Sequence, residues 1–197
     1  MNLYPLGKAL VSIIFYPLYR IRVIGKEHMP KDNGVLLCSN HIDNLDPPTV
    51  GITSPRLVNF MAKEELFEAP ILKGLLPKLQ AFPVKRGASD RQAIRKALQL
   101  LKSGEVVGLF PEGTRSTTGE LGEGMTGAGF LALRGECDVV PCAIIGPYKP
   151  FKRLTVIYGE PLPMEELRER KASADEVTQI IMQSIQKLLD THKNIEK

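Results

Sequence analysis

Short apolar runs alternate with segments of helical spacing along almost the whole chain, and this alternation restricts the fold more than any other feature. Residues 34–38 (GVLLC) and 105–110 (EVVGLF) read as buried strands. Residues 57–62, 81–84, 139–145 and 154–158 are further strands, and 20–25 alternates apolar and basic side chains as a half-exposed strand does. Helices are expected from the Pro-Pro pair at 47–48 to residue 52, over 64–79 with a break near Pro70, and over 126–134. Ser89-x-x-Gln92 is a capping box ahead of Ile94, Ala97, Leu98 and Leu101 at helical spacing, and Ser173-x-x-Glu176 opens a last amphipathic helix to about residue 189. Residues 111–125 form a loop rich in glycine and threonine. The expected class is α/β, with a mixed, mainly parallel sheet flanked by helices.

Residues 3–19 (LYPLGKALVSIIFYPLY) are the most apolar stretch, with Lys8 and Ser12 four apart on one stripe. Seventeen helical residues reach about 26 Å, short of a comfortable bilayer span. No small-residue cleavage site follows, which argues against a signal peptide. Arg20, Arg22 and Lys26 lie just beyond. A short N-terminal interfacial membrane helix over 1–19 is expected, followed by one folded domain over 20–197; a helix packed into the core is the plainer alternative.

Composition excludes several classes. Hydrophobic residues make up 43% and charged residues 24% of 197, which rules out global disorder. Three cysteines, Cys38, Cys137 and Cys142, build no disulfide framework and no C-x-x-C pair, so they read as reduced thiols with no structural zinc. Residues 56–102 carry ten Lys/Arg against four Asp/Glu, which points to an anionic partner. With 6% aromatics, no tryptophan and no recognisable module, that partner is not expected to be nucleic acid. His28 and His192 sit in no motif and are expected to be solvated.

Two segments place polar groups directly after a buried strand, where open α/β sheets build sites. In SNHIDNLDPP (39–48), His41 and Asp46 can form a base–orienter pair: the carboxylate fixes one ring nitrogen and the other takes a proton from a hydroxyl. Asp46 before Pro-Pro is also a good helix N-cap, and the two roles are compatible. In FPEGTRS (110–116), Arg115 with two hydroxyls and a flexible glycine suits a phosphate. Glu112 can orient that arginine or bind a substrate hydroxyl; the plainer reading is a surface turn with a local ion pair. Between them, FPVKRG (82–87) puts Lys85 and Arg86 ahead of a capped helix, a ready phosphate site or else a solvated basic loop.

Together these segments resemble the glycerolipid acyltransferase family, specifically its bacterial 1-acylglycerol-3-phosphate acyltransferases. The resemblance covers about residues 20–160. It rests on the H-x-x-x-x-D box from His41 to Asp46, on Arg86 in FPVKRG, on FPEGTRS, and on the proline-bearing apolar strand VVPCAI (139–144). Asp43 stands where serine is frequent in the family, and Met125 where relatives often carry lysine. The resemblance implies that residues 20–197 are the acyltransferase domain. It implies transfer of a fatty acyl group from acyl-CoA or acyl carrier protein, as co-substrate, to the sn-2 hydroxyl of lysophosphatidic acid. No cofactor and no metal would be needed. His41 and Asp46 would be catalytic, and Arg86, Glu112, Gly113, Thr114 and Arg115 would bind the acceptor. Membrane lipids would be partners, and the protein would sit peripherally on the cytoplasmic face of the cell membrane. Competing readings are a related glycerolipid acceptor, such as glycerol 3-phosphate or another lysophospholipid, a Cys38–His41 nucleophile, a metal hydrolase built on His41, Asp43, Asp46 and Glu112, and a non-catalytic lipid-binding protein.

Overall fold

The computed structural model describes residues 4–85 and 90–192. Its strands are β1 (Arg22–Ile24), β2 (Val35–Ser39), β3 (Val58–Lys63), β4 (Ala81–Val84), β5 (Val106–Leu109), β6 (Asp138–Ile145) and β7 (Thr155–Tyr158). They form one sheet in the order β1-β7-β6-β2-β5-β3-β4. All neighbours are parallel except β6 and β7. The expected mixed, mainly parallel sheet is therefore present. Helices α1 (Tyr4–Tyr19), α2 (Asp46–Thr53), α3 (Pro70–Leu75), α4 (Arg91–Lys102), α5 (Gly127–Arg134), α6 (Met164–Glu169) and α7 (Ala174–His192) flank it. The short α6 has no counterpart in the sequence reading.

The continuous apolar runs are explained by burial on two sides. Alternate residues of β2 enter different layers: Leu36 and Cys38 join Ala97, Leu131, Val177 and Ile181. Val35 and Leu37 join Tyr19, Val50 and Val58. One layer lies under α4, α5 and α7; the other lies under α1 and α2. A strand covered on both faces has no position for a polar side chain, which is why the alternation disappears from the sequence.

Two local expectations differ from what forms. Residues 64–79 are not one broken helix but a 3-10 turn at Glu64–Phe67, then α3, then a 3-10 turn at Pro77–Leu79. Pro70 and Pro77 each open a new piece, because a residue without an N–H is tolerated only in a first turn. The helix α4 is capped by Asp90, whose Oδ1 accepts the N–H groups of Gln92 and Ala93 at 3.0 Å each. Ser89, the expected capping residue, lies outside the described residues. At the other end of the chain Ser173 does cap α7, its Oγ accepting the Glu176 N–H at 3.1 Å.

The N-terminal helix is turned inside out relative to an ordinary surface helix. Its polar stripe faces the protein: the Lys8 ammonium donates to the Ser54 carbonyl at 2.6 Å, at the C-terminal end of α2, where a cation is favoured by the helix dipole. The Tyr4 hydroxyl receives the Val58 N–H at 3.2 Å and donates to the Gly51 carbonyl at 3.3 Å. Leu6, Leu10, Ile13 and Ile14 point outward and are more than half exposed. Among the described residues no helix is long and apolar enough to cross a membrane.

Helices α5 and α7 meet at a glycine. A Cβ on Gly129 would run into the Ala174 carbonyl and lie 2.8 Å from Thr178 Oγ1. The Gly129 N–H donates to that hydroxyl at 3.0 Å. In an exposed helix, glycine to alanine stabilises by about 1 kcal/mol. Here the sign reverses: Gly129→Ala is expected to destabilise by about 1–3 kcal/mol through overpacking. That corresponds to a fall in Tm of roughly 2–10 °C for a domain of this size, measurable by thermal denaturation.

Candidate active site

The carboxyl ends of β2, β5 and β6 lie side by side, because β2 pairs in parallel with both neighbours. Three loops therefore leave the sheet at one edge: 40–45 after β2, 110–126 after β5 and 146–154 after β6. Asn40 ties the first to the third. Its amide donates to the Ile144 carbonyl at 2.9 Å and accepts the Ile144 N–H at 2.7 Å, extending the ladder through a side chain.

His41 and Asp46 meet as the five-residue spacing allows. Nδ1 of His41 lies 2.7 Å from Oδ2 of Asp46. The same oxygen accepts the N–H groups of Ile42 at 2.6 Å and Asp43 at 2.8 Å, so the carboxylate closes the loop onto the histidine. Asp46 is fully buried, whereas 13% of the His41 side chain remains exposed. A carboxylate that accepts at Nδ1 sets the proton there, and Nε2 then carries the lone pair. Among the described residues nothing hydrogen-bonds to Nε2. The imidazole stacks on Phe110, ring centroids 4.1 Å apart and 17° from parallel. Phe60 continues the stack at 5.9 Å.

Asp46 is the first residue of α2, but its side chain turns back into the loop rather than capping the helix. The physical reason is in the sequence. Pro47 and Pro48 have no N–H groups, so the first turn offers a cap little to accept.

Glu112 also differs from its plainest reading. It is buried, 8% exposed, and pairs with backbone rather than with Arg115. Oε1 accepts the His41 N–H at 2.7 Å and Oε2 the Gly122 N–H at 2.9 Å. The Ser116 N–H donates to the His41 carbonyl at 2.8 Å, so the FPEGTRS loop grips the histidine's backbone from both sides. Gly113 has a φ of 66°, and a Cβ there would meet the Met125 sulfur. Gly113, Thr114 and Arg115 are exposed at the loop surface.

Of the basic segment after β4, Lys85 and the start of α4 are described. The α4 N-terminus is already occupied by the Asp90 carboxylate, which also accepts the Lys85 N–H at 2.9 Å. These N–H groups, Lys85 first, hold the Asp90 carboxyl below the usual carboxylate range. The Lys85 ammonium lies 3.7 Å from Glu64. Arg86 lies outside the described residues.

Tyr148 was not singled out by its surroundings in the sequence; its one signal is its place just after a buried strand. Its hydroxyl donates to Oδ1 of Asp46 at 2.8 Å. Burial, and then the Asp46 charge, push its ionisation well above the ordinary tyrosine range, so it remains a donor. Cys38 is fully buried in the layer under α4, α5 and α7, and desolvation drives its thiol strongly upward. Burial pushes the Cys137 thiol up to about 11 and that of Cys142 to about 12. None of the three is poised as a thiolate nucleophile. The two remaining histidines are engaged rather than solvated. His28 donates from Nδ1 to the Tyr158 carbonyl at 2.9 Å and has Glu160 3.0 Å from Nε2. His192 bonds the Leu188 carbonyl at 2.9 Å.

Known proteins resemble this chain in sequence and in fold. The family model described as Acyltransferase matches residues 20–145. The chain is 34% identical over 181 residues to the 1-acyl-sn-glycerol-3-phosphate acyltransferase of Bacillus subtilis, covering 86% of this chain and 90% of that one. It is 27% identical to the protein of the same name from Borreliella burgdorferi, covering 88% of this chain and 73% of that one. The crystal structure of the 1-acyl-sn-glycerophosphate (LPA) acyltransferase PlsC from Thermotoga maritima shares the fold, with a TM-score of 0.78 over 97% of this chain and 78% of that one, at 23% identity. The family match spans the strand, loop and helix that hold His41 and Asp46 as well as the FPEGTRS loop, and the chain belongs to the Acyltransferase family.

Proposed function

We propose that this protein transfers a fatty acyl group from a thioester donor, acyl-CoA or acyl carrier protein, to the sn-2 hydroxyl of lysophosphatidic acid, giving phosphatidic acid. The observation that carries this reading is the His41–Asp46 pair, 2.7 Å apart, with Nε2 left unbonded by the described residues. Its near relatives bear the name of that activity.

In this reading His41 Nε2 takes the proton of the acceptor hydroxyl as its oxygen attacks the thioester carbonyl. Asp46 keeps the ring in the productive tautomer and stabilises the imidazolium that forms. The tetrahedral intermediate collapses, the carbon–sulfur bond breaks, and the proton on His41 leaves with the carrier thiol. The acceptor is itself the nucleophile, so no enzyme serine or cysteine is required. Arg115 and Arg86 bind the acceptor's phosphate, with Gly113 and Thr114 lining the approach. Glu112 shapes the acceptor site from beneath, by holding the His41 backbone against the loop that carries Arg115.

Acceptor and product both partition into lipid. The outward apolar face of α1 supports a monotopic seat at the membrane surface. We place that seat on the cytoplasmic face, where acyl thioesters are made.

His41→Ala is expected to lower kcat about 10²–10⁴-fold with an unchanged Tm, measured by mass spectrometry of phosphatidic acid formed from lysophosphatidic acid and mixed thioesters. Full activity in that variant sinks the assignment. Arg115→Ala and Glu112→Ala are expected to separate. The first raises KM for the acceptor about tenfold or more, by loss of a charge-assisted contact. The second lowers kcat about 10–100-fold, because a loop displaced by even 1 Å misplaces the base. For the membrane seat, Ile13→Ser combined with Ile14→Ser is expected to weaken co-sedimentation with anionic vesicles on the order of tenfold or more. Unchanged sedimentation would remove α1 from the membrane contact.

A further inference from the structure

A hydrogen-bonded and stacked line of side chains runs from the apolar helix to the histidine. The Phe15 ring meets Tyr19 edge-on at 5.3 Å, within α1. The Tyr19 ring meets Tyr148 edge-on at 5.5 Å. The Tyr148 hydroxyl donates to Asp46 Oδ1 at 2.8 Å, and Asp46 Oδ2 lies 2.7 Å from His41 Nδ1. Tyr148 belongs to the loop after β6, and so reaches Asp46 from a different element than the loop N–H groups that bond Oδ2. The two oxygens of Asp46 are thereby held from two sides. The Oδ2 side sets distance; the Oδ1 side resists rotation of the carboxylate about its Cβ–Cγ bond.

We infer that Tyr148 is a positioning residue for the acyl-transfer reaction, fixing the plane of the Asp46 carboxylate so that it meets His41, and that Tyr19 at the end of α1 keeps Tyr148 in place. The inference rests on the proposed roles of His41 and Asp46. Burial suits it: Asp46 has no solvent contact, so its oxygens depend on donors from the protein. The hydroxyl stays protonated, because burial and the neighbouring carboxylate both oppose its ionisation. Among the described residues, the titratable groups near the pair include Asp43, whose Oδ1 accepts the Leu45 N–H at 3.0 Å, Glu112, occupied by backbone, and the Cys142 thiol, which burial and the Asp46 charge push upward. None of them is bonded to Oδ1 of Asp46, whose donor is the Tyr148 hydroxyl. Seating of α1 and alignment of the base are then parts of one packed unit, rather than a detachable anchor beside an independent site.

The test uses the full chain with lysophosphatidic acid and acyl thioesters in mixed micelles. Tyr148→Phe removes one oxygen and keeps the ring against Tyr19. We expect kcat to fall about tenfold, the size of a lost hydrogen bond to a charged group, with KM for the acceptor within about twofold. We also expect the acidic limb of the kcat/KM profile to move to higher pH, since a carboxylate short of one donor holds the imidazolium more tightly. Replacing Tyr148 by 3-fluorotyrosine keeps the shape and strengthens the donor; the limb should then move to lower pH. This second variant serves if Tyr148→Phe does not fold. Tyr19→Leu, folded by thermal melt, should reproduce the loss of kcat. A folded Tyr148→Phe protein with unchanged kcat and pH profile overturns the inference, as does a 3-fluorotyrosine protein whose limb does not move. His41→Ala in the same assay separates the two levels: if it stays active, the proposed dyad itself is wrong, whereas an inactive His41→Ala beside an unaffected Tyr148→Phe refutes only the role of Tyr148.

Discussion

A carboxylate with no solvent contact must be met by donors from the protein, and the site is arranged around that requirement at Asp46. Its two oxygens receive two loop N–H groups, the His41 ring and the Tyr148 hydroxyl. These donors come from the loop after β2 and the loop after β6. They converge only because β2 and β6 are parallel and in register, so that both chains leave the sheet at the same edge. The Asn40 side chain holds that register one residue past the end of β2. The apolar burial of β2 on both faces is thus what allows a polar cluster to be built with fixed geometry at its end.

The FPEGTRS loop adds a second buried carboxylate with the same logic. Glu112 accepts N–H groups from His41 and from Gly122, ten residues further along its own loop. It therefore stitches together three segments: the strand end that carries it, the histidine, and the far side of a long glycine-rich loop. Loops of this length are usually loose. This one is pinned at Gly122, near its far end, which leaves Gly113, Thr114 and Arg115 as an exposed rim above a buried carboxylate. An exposed rim suits groups that receive a ligand; a buried base suits groups that hold a catalyst in place.

The inverted polarity of α1 has a comparable origin. Lys8 is drawn inward by the carbonyl end of α2, and Tyr4 by backbone groups at Gly51 and Val58, so the remaining circumference is left apolar and outward. One helix then serves two surfaces. It covers one face of the sheet through Tyr19, and offers Leu6, Leu10, Ile13 and Ile14 to whatever lies outside.

The class of fold, the edge of the sheet where polar residues gather, and His41 and Asp46 as a base–orienter pair able to meet across one turn are all legible in the chain. Each follows from local rules: apolar runs with no polar side, strand ends that break into polar loops, and a spacing short enough for a turn to close. The narrow polar stripe of residues 3–19 is legible too, but that the stripe faces inward and the apolar side outward is set by the contacts of Lys8 and Tyr4 with α2 and β3. What Asp46, Glu112 and Tyr148 bond to is set by contacts between distant segments. Pro-Pro after Asp46 predicts a cap, yet the missing N–H groups release the carboxylate to the loop. Glu112 three residues from Arg115 suggests an ion pair, yet its partners are backbone N–H groups, one of them 71 residues away. Tyr148 lies 102 residues from Asp46, in a loop with no motif around it. Contacts at that separation leave no periodic or spacing signal in a single sequence, because strand order and register, not chain distance, bring the groups together.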